Sequence, residues 1–191
     1  MISQQPKIIQ DGFNWVIADN PGLLNSNIYC QTRDVFQART SHLLVELQQR
    51  IKNDDLAFLL TAVISEIGNN SFDHNLGNWR DIAGIYFAYD FSKRLVVMAD
   101  RGQGILRTIK KVKPGVITDE EAIRVAFTET ISGRSPEQRG NGLKFVRKVV
   151  RENSLELNFY SGQALCLVNS EQMEIKKEEN NIKGAIAIIK F

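Results

Sequence analysis

Between Thr32 and Ile51 the apolar positions recur every three to four residues. Val35, Ala38, His42, Val45 and Gln49 fall on one face, so the segment is predicted as a helix. Asn53-Asp54-Asp55 offers a cap, and Leu56 to Phe72 reads as a second, strongly apolar helix. The pattern then changes. Ile82–Asp90 and Arg94–Ala99 have the composition of strands, with Asp90-Phe91-Ser92-Lys93 as the hairpin turn between them. A glycine-containing loop and a basic stretch, Arg107 to Lys113, come next. Thr118 and Glu121 form a capping box that opens a helix running to about Thr130, and Ser132-Gly133-Arg134-Ser135-Pro136 breaks it. Another helix starts near Gly142 and extends through Arg151. The tail reads as strands at Leu155–Tyr160, Ala164–Asn169 and Ala185–Phe191, with Glu171 to Asn181 as a surface connection. Ahead of all this, Lys7–Gln10 and Trp15–Ala18 look like short β runs separated by turn residues, Asp11-Gly12 and Asn20-Pro21-Gly22. Helices first, a strand pair, a long loop, a helix and then strands indicate an α+β layered domain and not alternating βαβ units.

Composition changes this picture little. The 191 residues, 43% apolar and 24% charged, suit one domain spanning 1–191 with a core of its own. A net charge of +2 gives no electrostatic argument for nucleic acid or an acidic membrane as partner. Within Arg107 to Lys113 no aromatics are interleaved, so a solvated segment is the expectation there. Cys30 and Cys166 have no metal-ligand spacing and read as buried thiols of a reducing compartment. Met1 to Lys7 lacks the apolar core of a signal peptide, and no stretch is long and apolar enough to span a bilayer, so a cytoplasmic protein is expected.

Three short motifs carry candidate chemistry. In Glu66-Ile-Gly-Asn-Asn70-Ser-Phe-Asp-His74, the residues Glu66, Asn70 and His74 are spaced by four and lie along one side of an otherwise apolar helix. A carboxylate there can take a proton from water or a hydroxyl, and an amide oxygen is a hard ligand suited to Mg²⁺. In Leu95-Val-Val-Met-Ala-Asp100-Arg-Gly102-Gln-Gly104-Ile105, an apolar strand delivers an aspartate followed by two alternate glycines. Such an aspartate can accept a hydrogen bond from an exocyclic amine, and the glycines let backbone approach a ring or phosphate closely. In Arg139-Gly140-Asn141-Gly142-Leu143-Lys144, two glycines precede a helix whose free N–H groups suit an anion, with Arg134, Arg139 and Lys144 adding positive charge. The P-loop string G-x-x-x-x-G-K-[ST] is absent. Each motif alone is weak: a solvated helix face is the better explanation of the first and a strand-to-turn transition of the second, and the third reads equally as a flexible basic loop.

Taken together and in this order, the three resemble the N box and the two glycine boxes of the GHKL (Bergerat-fold) superfamily. That superfamily includes histidine-kinase catalytic domains, anti-sigma-factor kinases and type II topoisomerase ATPase domains. The resemblance covers roughly Leu56 to the C-terminus and looks closest to free-standing bacterial members of the anti-sigma-factor-kinase kind. It implies a two-layer α/β sandwich, with a mixed, mainly antiparallel sheet and helices on one face. It implies Mg²⁺ and ATP as ligands, with Glu66 as general base, Asn70 as Mg²⁺ ligand and Asp100 reading the adenine amine. Gly102, Gly104 and Ile105 would shape the adenine pocket. Arg139, Gly140, Asn141, Gly142, Leu143 and Lys144 would meet the phosphates, and residues 105–139 would form a lid. Two positions depart from the family pattern: Lys144 follows Leu143, and Ala185 follows Gly184 where a threonine is usual. The expected activity is ATP hydrolysis or γ-phosphoryl transfer to a serine or histidine of a protein partner in bacterial signalling. The alternative is a nucleotide-gated interaction switch with little turnover, and a homodimer is compatible with either. His42 stands too close to Glu66 in sequence for a phosphoacceptor hairpin and reads as an ordinary helix-face residue.

Overall fold

The computed structural model describes residues 5–22, 24–130 and 142–191. Among these, six helices pack on a five-stranded antiparallel sheet. The helices are α1 (Lys7–Ile17), α2 (Arg33–Ile51), α3 (Asp54–Asn75), α4 (Gly104–Lys110), α5 (Asp119–Thr128) and α6 (Gly142–Glu152). The strands are β1 (Tyr29–Cys30), β2 (Ile85–Asp90), β3 (Leu95–Asp100), β4 (Glu156–Val168) and β5 (Met173–Lys190), in the order β1-β2-β3-β5-β4. The α+β architecture expected from the sequence is the one adopted, and every described strand pair is antiparallel.

Both faces of the sheet are covered. Side chains alternate across a strand, so Ile85, Phe87, Val96, Met98, Ala187 and Ile189 point to one core and Tyr86, Ala88, Leu95, Val97, Ile186 and Ile188 to another. The first core is closed by α2, α3, α5 and α6, through residues such as Leu43, Leu60, Phe127 and Val146. The second is closed by α1, through Ile9, Phe13, Trp15 and Val16. One-sided helices were expected; α1 adds a layer on the opposite face. That layer explains why all six residues of β3 are buried.

The β runs expected at Lys7–Gln10 and Trp15–Ala18 are instead one helix, α1. Asp11-Gly12, read as a turn, lies inside it. Gly12 is tolerated there because a Cβ would press on Val97 Cγ1 at 3.2 Å, so its absence lets the helix lie close on β3. In α2 the face shared by Val35, Ala38, His42 and Val45 is the outer one, with Val45 52% exposed. The inner face is Phe36, Thr40, Leu43 and Leu47. Phe36 settles the choice, because its ring fills the notch at Gly68 of α3, where any Cβ would overlap it.

Several local expectations hold. Asn53 Oδ1 accepts from Leu56 N at 3.0 Å and Thr118 Oγ1 from Glu121 N at 3.1 Å, capping α3 and α5. Asp90 Oδ1 accepts from Ser92 Oγ and Lys93 N in the β2–β3 turn. The basic stretch from Arg107, expected as a loop, is largely α4. The tail has two long strands instead of three. Its expected break is a bend: Gly162, at φ +59°, sits in a register shift, and β4 continues past it. The Glu171–Asn181 connection is mostly the first half of β5. Of the segment assigned to a lid, the described part holds α4 and α5, and α5 is anchored in the main core by Ile123 and Phe127.

Candidate functional site

The site gathers where β3 ends beneath α3. Asp100, the last residue of β3, is 4% exposed. Its Oδ2 accepts from Ser71 Oγ at 2.8 Å; its Oδ1 accepts from Gly102 N at 2.9 Å and Asn75 Nδ2 at 3.2 Å. Burial pushes the Asp100 carboxyl above the usual range, and the donors from Gly102, Ser71 and Asn75 oppose that shift. Asn75 works twice, because its Oδ1 also accepts from Gln103 N at 3.0 Å. A Cβ at Gly102 would overlap the Asn75 carboxamide, so the backbone lies against α3 only because residue 102 is glycine.

One helical turn away, Glu66 and Asn70 sit side by side, with Asn70 Nδ2 donating to Glu66 Oε1 at 3.3 Å. Gly142, the first residue of α6, lies against the Glu66 carboxylate so closely that a side chain there would overlap it. The start of α6 therefore meets the polar side of α3. Gly104, at φ +77°, opens α4 and faces Ser161 Oγ and Gly184 O. Ile105 and Leu143 are half-buried and pack against the main core. Lys144 Nζ contacts Thr130 Oγ1. Arg134, Arg139, Gly140 and Asn141 lie outside the described residues. Glu66, Asn70, Asp100, Gly102 and Gly142, drawn from three separate stretches of chain, thus meet around α3.

Sequence reasoning missed several residues that build this region. Asn75 is buried and Ser71 half-buried on the side of α3 that meets Asp100; a polar residue taken out of water needs a partner, and that was the available signal. Arg101, between Asp100 and Gly102, has a fully buried side chain. Its Nε donates to Asp81 Oδ1 at 2.9 Å and its Nη2 to Asp81 Oδ2 at 2.5 Å. Nη1 donates to Trp15 O at 2.5 Å and Val16 O at 2.8 Å, and Nη2 also to Ala18 O at 2.9 Å. All five donors of the guanidinium are matched. Its charge lies at the C-terminal end of α1, the favourable end of the helix dipole for a cation. Gly184, far along the chain, lies against the backbone and Oδ1 of Asp100, and Ser161 Oγ donates to Gly184 O at 2.7 Å.

The donor set suits Mg²⁺. The Asn70 amide nitrogen is engaged by Glu66, which leaves the amide oxygen as a hard ligand beside a carboxylate. Among the described residues no cluster of three histidine, cysteine or acidic side chains could hold a metal unaided. Mg²⁺ differs in keeping waters and substrate phosphates as most of its ligands. Cys30 and Cys166 are buried free thiols, and burial pushes Cys166 up to about 12. No helix among the described residues is long and apolar enough to cross a membrane.

No protein-family model and no curated protein matches the chain. Among solved structures, it is similar to the crystal structure of the 43K ATPase domain of Thermus thermophilus gyrase B in complex with an aminocoumarin. The match has 14% sequence identity and a TM-score of 0.40, and covers 77% of this chain and 38% of that one. The chain thus corresponds to well under half of that structure. A likeness so distant carries none of the functional reading, which rests on the residues that meet around α3.

Proposed function

We propose that this chain binds Mg²⁺ and ATP where α3, the end of β3 and the start of α6 meet, and acts on the γ-phosphate. The observation that carries this is the meeting of the three motifs. The buried Asp100 carboxylate is tied to α3 by Ser71 and Asn75. One turn along the same helix, Glu66 lies against the N-terminal residue of α6 and accepts a hydrogen bond from Asn70. In this reading Asp100 accepts from the adenine amine, and Gly102 and Gly104 let backbone line the base. Asn70 holds Mg²⁺, and the start of α6, with Leu143 and Lys144, receives phosphate. Arg139, Gly140 and Asn141 belong to the same phosphate-binding string. Mg²⁺ supplies charge neutralisation on the phosphate oxygens when bound. Glu66 takes the proton of the attacking water or of a protein hydroxyl. The resemblance to the GHKL superfamily points the same way and adds a protein partner in bacterial signalling.

A second reading is favoured by one contact. Glu66 is packed against Gly142 and hydrogen-bonded by Asn70, so the base is covered by α6 in this conformation. A nucleotide that shifts α6 would act as a switch for a protein partner with little turnover. The test is calorimetric titration of Mg²⁺–ATP into wild type, Asp100→Asn and Glu66→Gln, with phosphate release followed in the same samples. Binding lost in Asp100→Asn and release lost in Glu66→Gln support an enzyme. Binding without release in wild type supports the switch. No binding by folded wild type overturns both.

A further inference from the structure

We propose that Ser161 is a positioning residue of the base-binding end of this site, supplied by an edge strand remote in sequence from every motif. The inference rests on the nucleotide reading above.

Three observations carry it. First, the strand register places Asp100 opposite Ala185 and Ala185 opposite Ser161, so the three form one row across β3, β5 and β4. Residues directly opposite in a sheet present side chains to the same face. Ser161 therefore lies on the Asp100 side, two strands away.

Second, the Ser161 side chain is committed. Ser161 is 1% exposed; its Oγ donates to Gly184 O at 2.7 Å and accepts from Ile105 N at 3.0 Å. A buried hydroxyl with both bonds fixed is a rigid tie. It joins the start of α4 to the backbone of β5.

Third, each tied segment turns on a glycine: Gly184 borders Asp100 directly, and Gly104 borders Gly184 and Ser161. Gly184 stands at φ +111°, and a Cβ there would overlap the backbone of Asp100 and come within 2.9 Å of its Oδ1. Gly104 stands at φ +77°, and a Cβ there would approach Ser161 Oγ at 3.3 Å. Glycine permits these backbone conformations but does not hold them, because it has the most conformational freedom of any residue. Ser161 supplies the restraint. It fixes the Gly104–Ile105 turn against Gly184, and so fixes the wall facing the Asp100 carboxylate.

The α4 end of the site is thus set by β4, while the phosphate end is set by α3 and α6. Loss of the Ser161 hydroxyl loosens recognition of the base and leaves recognition of phosphate unchanged. The experiment compares wild type and Ser161→Ala, matched for melting temperature, by calorimetry. The probes are a non-hydrolysable ATP analogue with Mg²⁺ and inorganic tripolyphosphate with Mg²⁺. The expected result is about tenfold weaker binding of the ATP analogue by Ser161→Ala, the scale of a lost neutral hydrogen bond, with tripolyphosphate binding unchanged. Ser161→Cys, which fills the space with a slightly larger thiol and weakens both bonds, should show the same selective loss, and it serves if the alanine variant does not fold. Equal weakening for both probes, or unchanged affinity for the ATP analogue, overturns the proposal while the nucleotide reading stands. Failure of wild type to bind the ATP analogue removes both.

Discussion

The fully buried guanidinium of Arg101 ties the turn after Asp100 to the helix on the far face of the sheet, and its removal should be costly. In Arg101→Met the apolar stem is kept but all five N–H donors disappear. Three of their acceptors are carbonyls at the C-terminal end of α1, Trp15 O, Val16 O and Ala18 O. Helix-end carbonyls have no partner within the helix, so these lose their donor in a largely dry place. The fourth acceptor is the Asp81 carboxylate, whose side chain is 31% exposed and can turn to water. Breaking a buried ion pair from one side costs about 3–5 kcal/mol. That is a large share of the roughly 5–15 kcal/mol that separates a folded domain from its unfolded chain. Asp81→Asn removes the charge but keeps an acceptor, and its partner retains three carbonyls, so about 1.5–3 kcal/mol is expected. In the Arg101→Met background the same Asp81→Asn change should cost under about 0.5 kcal/mol, because the interaction is already gone. Urea unfolding followed by the fluorescence of Trp15 in a Trp79→Phe background reports this directly, since the Trp15 indole is buried with the guanidinium 5.9 Å from its ring centroid. Amide exchange should show α1 losing protection first. A loss below about 1 kcal/mol in Arg101→Met, or strict additivity of the two substitutions, would refute the reasoning.

Two further predictions follow from the same packing. Hydrogen bonds from Arg101 hold the Asp81 carboxyl down to about 2 from 3.8, against the opposing effect of burial. The folded value lies below the unfolded one, so this stabilisation is present above pH 3.8 and is lost as pH falls toward 2. The stability gap between wild type and Asp81→Asn should therefore close between pH 5 and about pH 2; a gap that stays constant in urea melts across that range contradicts the assignment. On α2, Val45→Gln on the exposed side should change stability by less than about 0.5 kcal/mol. Leu47→Ala on the buried side should cost about 2–5 kcal/mol; thermal melts showing the opposite ranking would mean that the helix presents its other face to the core.

The parts legible in the sequence share a physical character. Caps at Asn53 and Thr118, the turn at Asp90 and the helical period of α3 depend on residues within a few positions of each other. Residue chemistry alone therefore predicts them. The same holds for the spacing of Glu66 and Asn70 and for the strand that ends in Asp100. The α+β class follows from the order of those elements.

What the sequence pattern left open depends on partners far along the chain. Both stripes of α2 contain apolar residues, and Phe36 selects the inner one by filling a notch at Gly68. The eleven residues of α1 are too few to be a stable helix alone; the sheet surface around Tyr86 and Val97 makes them one. Gly162 reads as a strand break, yet the pairing with β5 carries β4 through it. Asp100 could be proposed as a site residue from its strand and its glycines. Its setting, with Ser71 and Asn75 above, Arg101 anchored beneath and Ser161 two strands away, required the fold. Local chemistry is written in neighbouring residues, whereas burial and the matching of buried polar groups are properties of surfaces that exist only once the chain has closed on itself.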